Sequence, residues 1–343
     1  QMTYGIGVIG VGVWGCHSLE HALLQAGDAR VVAVATDASM GAANYAGSPE
    51  IVGTAYAERL GAEFRPDWQA VIDDPSVDIV SAMVCPKRKA EVILAALAAG
   101  KHVVTDKPLA FTVQEAEQIV AAEHASPGAG FMLCGYHPRP LVAHLLDAIA
   151  QGRLGEIRAA SVRFHFMGGV YPGFQPTEQW RSEIPSAEMT TIGSHALVTL
   201  CHLMEQPART VYASTRNCFY KEYEEVGAED WAELNLEFGG HAVGHVTVGR
   251  LPYRLPREDI RIEVTGTLGY AEITDDRLTI WPGEETVSLP LDGGAILAAQ
   301  FKDFYQAIET DTPTTTTFAE GLHLQRILAA AQCSVAEDRP CSV

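Results

Sequence analysis

A lysine ahead of a proline, Lys107-Pro108, closes the apolar run HVVTD (102–106), and about ninety residues earlier the chain carries Gly10-x-Gly12-x-x-Gly15. The glycines follow the run YGIGVI (4–9) and precede a helix-compatible stretch ending at Gly27. In that context they allow a tight turn, a close backbone approach to a pyrophosphate, and a helix N-terminus aimed at it. Gly10, Gly12 and Gly15, with Val13 and Trp14 between them, are therefore candidate dinucleotide-binding residues. A lysine at the end of a later strand can donate a hydrogen bond to a substrate hydroxyl or carbonyl, and crowding by cations brings its titration nearer neutrality. That is the chemistry hydride transfer requires, so Lys107 is the first catalytic candidate.

The second apolar run, VVAVAT (31–36), ends at Thr36 and Asp37, where an acidic side chain would accept hydrogen bonds from an adenosine ribose. Asp37 favours NAD, as does the lack of Lys or Arg from 39 to 58 to neutralise a 2′-phosphate. If Thr36 points at the ribose instead, NADP remains open. Cys85 and Pro86 end another strand, and Lys87, Arg88 and Lys89 follow on the edge where ligands bind, either lining the cofactor cleft or forming a solvated helix start.

The elements that position these residues alternate. Helix patterns at 55–61, 68–74 and 90–100 alternate with strand patterns at 31–36, 77–84 and 102–106, the mark of βαβ units on a doubly wound parallel sheet. From 157 onward alternating strand-like segments dominate and fit a large, mostly antiparallel, open-faced sheet, with helices at about 193–204, 295–309 and 318–335 covering its other face. A 1–130 dinucleotide-binding domain and a 131–343 α+β substrate-binding and oligomerisation domain are the expected division, with TPTTTT (312–317) a polar loop.

With 24 basic and 43 acidic residues the net charge is −19, which repels nucleic acid and anionic membranes and argues against both as partners. The seven scattered cysteines read as reduced thiols. With no run approaching a membrane span and no signal-peptide pattern, a cytoplasmic protein is expected. No metal site is expected: His17-x-x-Glu20-His21 lies on the helix opened by the glycines, and His241 with His245 lacks further ligands. Cys85 and Cys134 near strand ends suit small buried side chains.

Five segments carry a resemblance to the glucose-fructose oxidoreductase, inositol dehydrogenase and rhizopine catabolism family (Gfo/Idh/MocA). AGKHVVTDKP (99–108) resembles the family's AGKHVxxEKP, with Asp106 for the usual Glu. GYHPRP (135–140) is similar to G-(Y/F)-N-x-R, with His137 for Asn. GRLGEIRAA (152–160), Trp180-Arg181 and IEVTGTLGYAEI (262–273) match as well, so the resemblance runs from about residue 4 to the C-terminus. It implies an N-terminal Rossmann domain, cofactor contacts from Asp106, Lys107 and His137, and a dimer or tetramer through the open sheet, whose Leu, Val and Trp side chains would otherwise meet water.

The family's catalytic helix reads D-x-G-x-H; here it is TTIGSH, so Gly193 and His195 are kept and Thr191 stands for Asp. Threonine can hydrogen-bond a substrate but cannot act as a carboxylate base, so a proton relay falls to His195 and Lys107. The resemblance implies a hydride exchanged between nicotinamide and the CH–OH carbon of a sugar, glycoside or cyclitol, with Tyr136, Trp180, Arg181 and Thr191 positioning the substrate. A cofactor-binding regulator without turnover, a redox-neutral lyase or epimerase using bound NAD, and imine or amine redox are the alternatives.

Overall fold

The structure, a computed structural model, describes residues 3–12, 26, 29–37, 49–134, 139–167, 188–225, 227–255, 259–274, 276–283, 285–289 and 293–343. The chain runs β1 (Tyr4–Ile9), β2 (Ala29–Ala35), α1 (Pro49–Leu60), β3 (Glu63–Phe64), α2 (Trp68–Ile72), β4 (Ile79–Ala82), α3 (Pro86–Ala98), β5 (His102–Asp106), α4 (Val113–Ala125) and β6 (Gly130–Leu133). There follow α5 (Pro140–Ala150), β7 (Ile157–Met167), α6 (Glu188–Met204), β8 (Thr210–Arg216), α7 (Lys221–Glu224), β9 (Trp231–Glu237), β10 (Val243–Leu251), β11 (Asp259–Gly266) and β12 (Tyr270–Thr274). The last elements are β13 (Arg277–Trp281), β14 (Glu285–Ser288), α8 (Gly293–Thr310), α9 (Phe318–Glu337) and β15 (Cys341–Ser342). Two compact units result, 1–133 with 292–325, and 134–291 with 326–343.

In the first unit, β1 is buried at all six positions, as a strand covered on both faces must be. The sheet order is β3-β2-β1-β4-β5-β6 and every pair is parallel, the doubly wound sheet expected from the sequence. The order reverses between β1 and β4, so the ligand-binding crevice of such a sheet lies beyond the carboxyl ends of these strands. Helix α4 starts on a capping box: Glu115 N–H donates to Thr112 Oγ1 at 3.2 Å, and Thr112 N–H to Glu115 Oε2 at 3.0 Å.

Helix α8 departs from the expectation. It was assigned to the second sheet, but Phe301, Phe304 and Tyr305 enter the core of the first unit with Ile6, Val8, Val104 and Phe131. Phe304 stacks on Phe131 with centroids 5.3 Å apart, and Tyr305 on Tyr4 at 5.5 Å. Each such ring, once buried, stabilises by about 1.5–3 kcal/mol, which suffices to draw a helix back across the chain. The threonine loop is part of the same packing: Met132 N–H donates to Thr316 O at 3.0 Å and Thr314 Oγ1 to Gly130 O at 3.3 Å, covering the edge strand β6.

The second unit holds nine strands ordered β14-β13-β12-β11-β7-β10-β9-β8-β15, all antiparallel except the β7–β10 pair. Helix α6 packs on one face against β7 and β10. Gly244 permits the approach, since a Cβ there would stand 2.7 Å from Leu200 of α6. The opposite face is open among the described residues, and its make-up is mixed, the expected Val and Trp side chains being joined by polar ones. Val243 and Trp281 are on it, but Ser161, Thr210, Asn235, Glu237, His245, Glu263 and Tyr270 accompany them, several around a hollow of about 670 Å³. The Tyr270 hydroxyl is pushed up to about 12 by burial and by Glu263 and Glu272 beside it. No helix among the described residues is long and apolar enough to cross a membrane.

Candidate active site

Gly10 follows β1 with φ +92°, a left-handed conformation open to glycine, and a Cβ there would lie 2.6 Å from Met83 O at the end of β4. Gly10 thus joins the two strands that flank the switch point. Thr36, 4% exposed, accepts a hydrogen bond from Val11 N–H at 3.3 Å, so its hydroxyl is bound to the glycine turn. Asp37, the next residue, is half-buried beyond the end of β2. A glycine turn of this geometry beside a strand-end carboxylate fits a dinucleotide.

Cys85 caps α3, with Pro86 and Lys87 in its first turn at the carboxyl end of β4. The three neighbouring cations diverge. Lys87 lies 5.4 Å over the Phe111 ring, Arg88 pairs with Glu91 at 2.8 Å, and Lys89 is 1% exposed. Neither a cofactor-lining cluster nor a solvated helix start describes Lys89. Its ammonium donates to Asp106 O at 2.6 Å, Asp106 Oδ1 at 2.5 Å and Pro108 O at 2.9 Å. Lys107, half-buried, stands between those acceptors at the end of β5. Beyond it Leu109 and Ala110 are fully buried, so the turn is fixed on both sides.

In the second unit the catalytic-helix motif lies on α6, which starts at Glu188, five residues before the expected start. Every residue from 188 to 200 is buried except Thr191 and His195, which stand four apart on one face. Cys134 Sγ lies 3.9 Å from His195 Nδ1 and 3.7 Å from Ser194 O. Thr191 Oγ1 lies 3.5 Å from Glu188 Oε2, one turn earlier.

Glu188 was not picked out from the sequence. It is 1% exposed, accepts from Arg250 Nε at 2.7 Å and from the Tyr223 hydroxyl at 2.6 Å, and is joined by Glu229, whose Oε1 accepts from Met189 N–H at 2.7 Å. Burial lowers the Arg250 guanidinium, and the Glu188 carboxylate and Tyr223 hydroxyl together more than reverse this. An earlier helix start, giving Glu188 and Thr191 the i,i+3 spacing, was the available signal. Val13, Trp14, Gly15, Tyr136, His137, Trp180 and Arg181, and His17 with His21, lie outside the described residues. His241 falls in a turn before β10 and shares no strand face with His245.

One group of metal-ligating types stands together among the described residues: Cys333, Glu337 and Cys341. Cys333 and Cys341 sulfurs are 2.9 Å apart, whereas two thiolates on one tetrahedral zinc stand about 3.8 Å apart. Glu337 is ion-paired with Arg339.

A doubly wound sheet with a glycine turn at its switch point, joined to an open-faced α+β unit, defines a nicotinamide-dependent oxidoreductase. Residues 4–129 match the oxidoreductase family with an NAD-binding Rossmann fold, and residues 142–272 match the GFO/IDH/MocA C-terminal domain. The chain belongs to the GFO/IDH/MocA family, as the sequence motifs implied. It is similar to 1,5-anhydro-D-fructose reductase of Ensifer adhaerens, 31% identical over 287 residues, covering 79% of this chain and 81% of that one. Inositol 2-dehydrogenase 2 of Saccharopolyspora erythraea is 32% identical over 216 residues, 62% of this chain and 58% of the relative. Levoglucosan dehydrogenase in complex with NADH and levoglucosan shares the fold over the full length of both chains, with a TM-score of 0.84 at 22% identity.

Proposed function

We propose that this chain reversibly oxidises a CH–OH group of a sugar, anhydrosugar or cyclitol with NAD, using Lys107 and His195 as its acid/base groups. The observation that carries the reading is the pattern on α6, where Thr191 and His195 alone are accessible along a buried helix stretch. The substrate class follows the named relatives, which include a reductase of 1,5-anhydro-D-fructose and an inositol dehydrogenase.

NAD, when bound, supplies the hydride acceptor. Gly10 and Gly12 admit its pyrophosphate, with Lys87 alongside. Asp37 accepts from the ribose hydroxyls and repels a 2′-phosphate, which is why NAD is preferred while Thr36 serves the turn. In oxidation, Lys107 donates a hydrogen bond to the substrate oxygen while His195 accepts the hydroxyl proton and later releases it to solvent, as the carbinol carbon gives up its hydride; reduction reverses these steps. Thr191 orients the substrate through hydrogen bonds in place of a carboxylate. The open sheet face pairs with a second copy of the chain, through polar contacts at Glu237, His245 and Tyr270.

Fluorescence titration with NADH and NADPH, followed by nicotinamide absorbance on levoglucosan, myo-inositol, D-xylose and 1,5-anhydro-D-fructose, tests the reading. NADH binding at least tenfold tighter than NADPH, with turnover of one of these compounds, is expected at a preference of about 1.4 kcal/mol or more. Nucleotide binding without turnover of any of them would count against the dehydrogenase reading.

A further inference from the structure

Lys89 is a buried ammonium whose three donors meet three acceptors, Asp106 O, Asp106 Oδ1 and Pro108 O, and these flank Lys107 on both sides. An ammonium buried to this degree is costly unless paired, so its bonding here fixes a particular local geometry. The two carbonyls belong to the residues immediately before and after Lys107, which restricts rotation of the backbone that aims the reacting side chain. Asp106, one methylene shorter than the glutamate usual at this place, is met by the long arm of a lysine reaching from α3. The same contact sets a positive charge against the carboxylate adjoining Lys107.

We propose that Lys89 is the positioning residue for Lys107: it grips the chain on either side of the reacting lysine and engages Asp106, so that this carboxylate does not hold the Lys107 ammonium. The inference rests on the reading of Lys107 as the acid/base group. Other charged side chains on the surrounding elements have their own contacts. Arg88 pairs with Glu91, Glu115 accepts from Phe111 and Thr112 N–H groups, Lys87 lies over Phe111, and Glu320 accepts from Thr317. His323 lies two residues from Gly321, which packs on Leu109. Among the described residues, Lys89 bonds the turn directly and meets the Asp106 carboxylate there.

The test is competitive acetylation of the full-length protein with acetic anhydride across pH, reading Lys107 by mass spectrometry, which needs no substrate. Lys89→Met leaves Asp106 unopposed and raises the pH midpoint of Lys107 labelling; Asp106→Asn leaves the Lys89 cation unopposed and lowers it. Shifts of about half a pH unit or more, opposite in sign, are expected from charges at this range. In turnover, Lys89→Met loses about ten- to a hundredfold in kcat with the NADH dissociation constant within about twofold. Midpoints that stay put, or move in the same direction in both variants, overturn the proposal and leave Lys89 a scaffold residue. Should Lys89→Met not fold, Asp106→Asn carries the test alone, and an unmoved or raised midpoint overturns it. Undiminished turnover by Lys107→Met would instead remove the acid/base reading, an outcome the labelling experiment does not share.

Discussion

The Lys107 turn and the accessible face of α6 hold their side chains in opposite ways. At the turn, backbone carbonyls, a buried ammonium and two buried residues fix one lysine, and the contacts come from α3 and β5, close in sequence. On α6, the helix is locked by Glu188, Arg250 and Tyr223, and Thr191 and His195 are the half-buried residues of this stretch, with the Thr191 hydroxyl 3.5 Å from the Glu188 carboxylate. A side chain mounted on a locked helix can change type without disturbing the fold, whereas a residue held through its own backbone cannot readily move. On the proposed function, Lys107 and His195 carry the common chemistry and Thr191 bears on the choice of substrate.

Three substitutions and one pH comparison would break or sharpen that contrast. Lys107→Met is expected to lower turnover by about 10²–10⁴-fold while NADH affinity, read by fluorescence titration, stays within about threefold. Glu188→Ala, which strips the partner from buried Arg250, is expected to cost about 3–5 kcal/mol in urea unfolding, showing that the support under α6 is stability rather than chemistry. Thr191→Asp should alter the ranking of kcat/KM among polyols by about tenfold and leave nucleotide binding unchanged, which steady-state assays on the panel would read.

The smallest effect compares the two units by pH. His102 accepts from Ala129 N–H at 3.0 Å and His165 contacts Asp259 at 2.6 Å; burial lowers both from the ordinary 6.5, against the opposing pull of Asp78 and Asp259 respectively. The unfolded chain therefore takes up these protons first as pH falls. The stability each neutral histidine contributes is complete above about pH 6.5 and drains as pH drops through that value toward the folded midpoint. Urea unfolding at about pH 7.5 and about pH 5.5 should show wild type losing stability, with a smaller loss in His102→Asn and in His165→Asn.

The strand-turn context of Gly10 and Lys107 was legible in the sequence because each signal is local. The address of α8 was not: Phe301, Phe304 and Tyr305 announce a core without saying which one, and chain order suggested the nearer sheet. Glu188 escaped notice because its partners Tyr223 and Arg250 lie 35 and 62 residues away and a later helix start hid its register with Thr191. Lys89 looked like one of three surface cations, since only the return of β5 brings Asp106 to it across 17 residues. The open sheet face alternates as expected, but composition alone did not reveal how polar the outward positions are.

The most direct test of the account is to follow nicotinamide absorbance with wild type and Lys107→Met side by side, using NAD and the four-compound panel. The account predicts that wild type reduces NAD with at least one compound and that the variant binds NADH yet turns over none at a comparable rate. Equal rates from the two proteins would contradict it.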